Sequence, residues 1–106
     1  MLESGCTAAL VHVLRGKGLR VEREVHAPLY FDGMVVAHYR LDVVVEQRLI
    51  VEVKACKLLL PEHLKQVFHY LKVTDYEVAL LLNFGRQPEI KRFTMRNALK
   101  QRSRPG

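Results

Sequence analysis

Near the N terminus apolar residues recur at helical spacing: Cys6, Leu10, Val13 and Leu14 share a face, and Gly16 and Gly18 supply a stop. The pattern predicts a helix over 2–15. The period then changes to two, because Leu19-Arg20-Val21-Glu22-Arg23-Glu24-Val25 alternates as a half-buried strand does, until Pro28 interrupts it. Asp32-Gly33, between Leu29–Phe31 and Met34–Ala37, is a hairpin-turn signal. Two more strands are expected at Tyr39–Val45 and Leu49–Ala55. Their short connection, Glu46-Gln47-Arg48, makes them antiparallel neighbours. Pro61 opens a second helix at the position where its missing N–H costs nothing, and Leu64, Val67, Phe68 and Leu71 form its expected buried stripe. Tyr76–Asn83 is a nearly continuous apolar run, as expected of a central strand covered on both faces. Asn83 and Gly85 close that run as turn residues, Ile90–Phe93 is a candidate edge strand, and Gln101–Gly106 reads as a frayed end.

The order is helix, three or four strands, helix, strand. The Leu49–Ala55 strand, the second helix and the Tyr76–Asn83 strand form a crossover unit, whose outer strands are expected to be parallel. The fold class is therefore α/β, a mixed central sheet flanked by helices, in a single domain over 1–93 with a basic C-terminal tail over 94–106. The 106 residues, 49% of them hydrophobic, suffice for one small globular core. No apolar run approaches the roughly 18 residues of a membrane helix, and no secretory leader opens the chain, so a cytoplasmic protein without membrane contact is expected. Cys6 and Cys56 are far apart and form no metal-binding pair, which points to two reduced thiols. The five histidines have no ligand spacing and read as surface residues.

Charge changes the picture. Seventeen Lys+Arg against 11 Asp+Glu leave a net charge of +6, which attracts polyanions, nucleic acid foremost. Against that background, three charged residues fall inside strands. Glu52 and Lys54 lie on one face of the Leu49–Ala55 strand, and Asp42 in the neighbouring strand reaches the same side if the register brings it opposite Glu52. Carboxylates converging on a central sheet are costly to desolvate, and a hard divalent cation, Mg²⁺ or Mn²⁺, offsets that cost. Beside it a lysine can stabilise the charge that develops as a phosphodiester is cleaved. Gln66 and Tyr70, four residues apart, border the helix stripe and could reach a phosphate. Arg40, Lys57, Lys65 and Lys72 lie near enough to track a phosphate backbone. The plainer reading of Asp42 and Glu-x-Lys is a surface ion pair of little value, and Lys65 and Lys72 read equally well as a solvated helix face.

Taken in order, Tyr39-Arg40-Leu41-Asp42, Leu49-Ile50-Val51-Glu52-Val53-Lys54-Ala55, and Gln66 through Tyr70-Leu71-Lys72 resemble the PD-(D/E)XK nuclease superfamily. More narrowly the chain looks like the small GxxExxY proteins, through Leu2-Glu3-Ser4, Gly18 to Glu24, and Leu81-Leu82-Asn83-Phe84-Gly85 followed by Ile90-Lys91-Arg92. The resemblance implies a restriction-endonuclease-like α-β-β-β-α-β core. It also implies a metal site with Asp42 and Glu52 as ligands, Lys54 as the catalytic lysine, Gln66 and Tyr70 as the helix motif, and Glu3 as the carboxylate of the first helix. Cys6 and Thr7 depart from the family pattern, which has a tyrosine and commonly an acid there, and the reading expects a shortened N terminus. A Mg²⁺- or Mn²⁺-dependent nuclease acting on nucleic acid, DNA in the first instance, is the function so implied. A catalytically impaired nucleic-acid-binding module and a homodimeric interaction protein are the alternatives on the same fold.

Overall fold

A computed structural model describes residues 2–100. The elements are α1 (Glu3–Gly16), β1 (Val21–Phe31), β2 (Met34–Val45), β3 (Leu49–Lys54), α2 (Pro61–Val73), β4 (Val78–Asn83) and β5 (Glu89–Thr94), followed by a short 3-10 turn at Asn97–Leu99. The strands form one sheet in the order β1-β2-β3-β4-β5. Only β3 and β4 run parallel, joined across α2, and every other neighbour is antiparallel. This is the α/β architecture with a mixed sheet that the sequence implies.

Two apolar layers hold the helices to opposite faces. Cys6 and Val11 of α1 meet Val21, Val43, Val45, Val51 and Val53, while Val67, Tyr70 and Leu71 of α2 meet Leu41, Val44, Ile50, Ala79 and Leu81. Both helix stripes differ in detail from their sequence patterns. On α1, Val11 and Thr7 are buried while Val13 is 52% exposed. On α2, Tyr70 is buried while Phe68 is 42% exposed. Helical spacing identifies an apolar sector, but the width of the sheet beneath decides which edge of it is covered. The same limit applies to β4: Ala79 and Leu81 are fully buried under α2, whereas Leu80 and Leu82 on the α1 side are only half covered.

β1 and β2 are longer than expected, and Pro28 does not interrupt the first of them. It pairs with His38 inside the ladder, with a register shift just after it between Leu29 and Tyr30. β1 is an edge strand, so the proline's missing donor can face away from the sheet. Pairing of β2 with β3 covers only Val43↔Val51, Val44↔Ile50 and Val45↔Leu49. Beyond Val43, β2 continues with β1 alone, as a two-stranded arm ending at Asp32-Gly33 with Phe31, Met34, Val35 and Val36 exposed. After β5 the chain folds back: the Met95 and Asn97 amides donate to Glu77, and the Lys100 ammonium donates to the Thr74 and Tyr76 carbonyls. The segment Gln101–Gly106, read as frayed, lies outside the described residues.

Candidate active site

The place where β2 leaves β3 is the centre of the site. Val43↔Val51 is the last pair between them, so Asp42 and Glu52 stand level with each other just past it, at the mouth of a fork. Side-chain alternation puts Glu52 and Lys54 on the face of Ile50, under α2. Asp42 shares parity with Val44 and so the same face, although Leu41 next to it also packs on the α2 side. The alternation therefore resets between Leu41 and Asp42. On β1 it resets opposite, at Glu24, whose φ of 52° lies in the left-handed region between the pairs Arg23↔Val43 and Val25↔Leu41. A left-handed conformation costs a non-glycine residue about 1–2 kcal/mol, and here it bends the ribbon beside Asp42.

Glu52 is 5% exposed, and its Oε1 is buried with no hydrogen-bond partner. Its carboxyl is pushed up to about 8, first by burial and then by the negative charge of Asp42, with smaller pushes from a hydrogen bond shared with Asp42 and from Glu3. Lys54 pulls the other way but is outweighed. Its Nζ stands 3.8 Å from Glu52 Oε2, looser than the 2.7–2.9 Å typical of a charge-assisted hydrogen bond. Tyr70 leans into the same corner. Its hydroxyl is pushed up to about 12 by burial and by the charges of Glu52 and Asp42, so it remains a hydrogen-bond donor at any physiological pH. Tyr39 of β2 packs edge-on against Tyr70, with ring centroids 5.8 Å apart, and its hydroxyl is 2.9 Å from His69 Nε2.

Two hard carboxylates, one of them with an orphaned oxygen, and an ammonium make a corner whose donors suit a small oxygen-seeking dication. Glu3, exposed at the start of α1, is close enough to act on Glu52 electrostatically. Among the described residues no group of three or more His, Cys, Asp or Glu gathers as a metal cluster.

The sequence pattern of the PD-(D/E)XK nuclease superfamily matches residues 1–93. The chain belongs to the PD-(D/E)XK nuclease superfamily. No curated protein matches it. Among solved structures it is similar to the crystal structure of SSO0001, with a TM-score of 0.69 and 20% identity, over 89% of this chain and 50% of that one. The likeness is one of fold, and the chain spans half the length of that structure.

In this PD-(D/E)XK domain the residues singled out from sequence separate into groups. Asp42, Glu52, Lys54 and Tyr70 come together, and Glu3 acts on them through its charge. Gln66 is exposed on α2, one turn before Tyr70. Lys65 and Lys72 line a groove with Phe68 and Phe93. Arg40 is exposed on the β1–β2 arm, and Lys57 is exposed in the loop after β3. Three contributors were not legible as such. Tyr39 and His69 had no spacing that marked them, and His69 is more than the surface histidine it resembles. Asn83, expected as a turn residue, is a buried hub.

Asn83 is 1% exposed and directly beside Lys54 in the parallel ladder. Its side chain accepts from the Cys56 and Gly85 amides and donates to the Cys56 carbonyl and to Glu89. Glu89 in turn accepts from the Leu59 amide, so the loop that leaves Lys54 is tied at both ends to β4 and β5. Gly85 is required by this latch, since a Cβ there would lie 1.7 Å from the Cys56 carbonyl oxygen. Gly85→Ala is expected to cost about 2 kcal/mol, because backbone rather than a flexible side chain must yield. A melting point about 10 °C below wild type checks this, and an unchanged one refutes the latch.

Proposed function

We propose that this protein is a metal-dependent nuclease that hydrolyses phosphodiester bonds of DNA, with Asp42 and Glu52 holding Mg²⁺ or Mn²⁺. The observation that carries the reading is the orphaned, buried oxygen of Glu52 beside Asp42, with Lys54 Nζ 3.8 Å from the other oxygen. A buried acceptor without a donor is costly unless something positive occupies the position in front of it. When bound there, a divalent cation supplies the charge that acidifies water and neutralises the attacked phosphate.

The chain's own residues do the rest. Asp42 and Glu52 would hold the cation at the mouth of the fork. Lys54, on the same face as Glu52, directs its ammonium at the charge that builds on the phosphoryl oxygens. Tyr70, buried between α2 and the sheet, offers a protonated hydroxyl to the corner. Gln66, exposed on α2 one turn before Tyr70, would orient an incoming phosphate, and Glu3 adds negative potential that favours the cation. Arg40 and Lys57 add positive charge on either side of the fork for the flanking backbone. From the sequence resemblance we read the chain as one of the GxxExxY proteins, working in the cytoplasm. Among the described residues no helix is long and apolar enough to cross a membrane.

Incubating the protein with labelled single-stranded and duplex DNA in Mg²⁺, in Mn²⁺ and in EDTA tests the proposal. Product is expected only with metal, and Asp42→Asn is expected to remove it while circular dichroism stays unchanged. DNA retained without any product in either metal would favour the binding-module reading instead. Cleavage in EDTA, or cleavage by Asp42→Asn at the wild-type rate, would overturn the assignment.

A further inference from the structure

Outside the carboxylate corner, α2 and the edge strand β5 form an open groove of about 600 Å³ lined by Leu64, Lys65, Phe68, His69, Lys72 and Phe93. Its volume is in the range of small-molecule sites. Its lining carries two phenylalanine rings, an imidazole and two lysines, and no carboxylate. Phe68 faces it while 42% exposed, at a position where the hydrophobic pattern expects a buried residue. A phenylalanine left at the surface between Lys65 and Lys72, one turn on either side, is poor packing for an isolated domain but a good platform for a planar, anionic ligand. The groove also touches the catalytic corner through side chains. His69 contacts the Tyr39 hydroxyl, Tyr39 packs on Tyr70, and Tyr70 faces Glu52 and Asp42.

We propose that this groove holds an unpaired nucleotide of the substrate strand, with its base against Phe68 and Phe93 and its phosphates on Lys65 and Lys72. The inference rests on the nuclease reading and deepens it, since it assigns the enzyme a single-stranded substrate or a frayed end. The two rings make the distinction. Lysines alone would hold the backbone of a duplex equally well, but a base inside a duplex has both faces covered by its neighbours and cannot stack on a side chain.

Binding is read by fluorescence anisotropy in EDTA, where cleavage is off, using a labelled oligothymidylate and a blunt duplex of equal length. Oligothymidylate is expected to bind more tightly than duplex. Phe68→Leu and Phe93→Leu are each expected to weaken it about tenfold. Leucine preserves the apolar volume, which matters for the half-buried Phe93, and a melting curve like wild type confirms that each variant is folded. Lys65→Ala and Lys72→Ala are each expected to lower the slope of log affinity against log salt by about 0.7. Oligouridylate held with the same dependence on Phe68 would support the groove and extend it to RNA. The failure of this proposal differs from that of the nuclease reading. A protein that cleaves nothing yet holds oligothymidylate through Phe68 supports the groove. One that cleaves through Asp42 but binds as wild type after both phenylalanine substitutions, or prefers the duplex, overturns it.

Discussion

Replacing Glu52 by glutamine is expected to make the metal-free protein more stable at pH 8.5, and by an amount that vanishes toward pH 4.5. In the fold the carboxyl keeps its proton up to about 8, against 4.5 for the free side chain, chiefly because it is buried and then because Asp42 repels the charge. Between those values the folded chain holds a proton that the unfolded chain has released. Stability must therefore fall as pH rises through this window: the contribution is complete below about 4.5 and gone above about 8. Each unit is worth about 1.4 kcal/mol, and with water able to reach the mouth of the fork a net effect of about 3 kcal/mol is expected. Glutamine has the same shape and no proton to lose, so Glu52→Gln should melt more than about 10 °C above wild type at pH 8.5 and within about 2 °C of it at pH 4.5.

Metal turns this difference round. Wild type should gain stability on addition of Mg²⁺ or Mn²⁺, more so at higher pH because binding must displace the Glu52 proton, and Glu52→Gln should gain little. Wild-type and variant curves that run parallel across pH, or an equal response to metal, would show that Glu52 is an ordinary surface carboxylate.

The site could be read from sequence to the extent that it depends on strand parity. Glu52 and Lys54, two apart on a strand whose other residues are apolar, had to share a face, and the short Glu46–Arg48 connection made β2 the neighbour that supplies Asp42. What parity could not give is the fork. It depends on pairing that stops at Val43↔Val51 and on a left-handed Glu24 in a strand that reads as regular. A glutamate at φ 52° leaves no mark on the hydrophobic pattern, because the energy that holds it there comes from neighbours distant in sequence. Pro28 misled for a related reason: whether a proline is tolerated depends on which edge the strand occupies, a property of the whole sheet.

On α2 the spacing favoured Phe68 for the core and left Tyr70 at its border. The sheet covers Tyr70 and exposes Phe68, a reversal that buries the hydroxyl beside Glu52 and leaves the ring in the groove. Asn83 was hidden by its own chemistry. Asparagine after a strand reads as a turn residue, and only the return of the Cys56–Leu59 loop turns it into the anchor for the end of β3. The common thread is that local periodicity placed each element and the Glu52–Lys54 pair within β3, whereas the contacts that bring Asp42 and Tyr70 to that pair are between elements.

Lys54→Met should separate the two jobs proposed for its ammonium. The first is stabilisation of charge on the phosphate, and loss of such a group from a site shielded from water costs about 10²–10³-fold in rate. The second follows from its position 3.8 Å from Glu52, where it lowers the proton affinity of that carboxyl. Without it Glu52 holds its proton to still higher pH, so the acid side of the pH–rate profile should move upward and more metal should be needed for half-maximal rate. Methionine has similar length and no charge, so packing between β3 and α2 is kept. Lys54→Arg restores the charge in a planar, bulkier form. It should return the acid side of the profile toward wild type while recovering only part of the rate. Steady-state cleavage measured from pH 6 to 9.5 at several metal concentrations decides the matter. A fall in rate with an unmoved profile would confine Lys54 to the phosphate, and an unchanged rate in Lys54→Met would remove it from the reaction altogether.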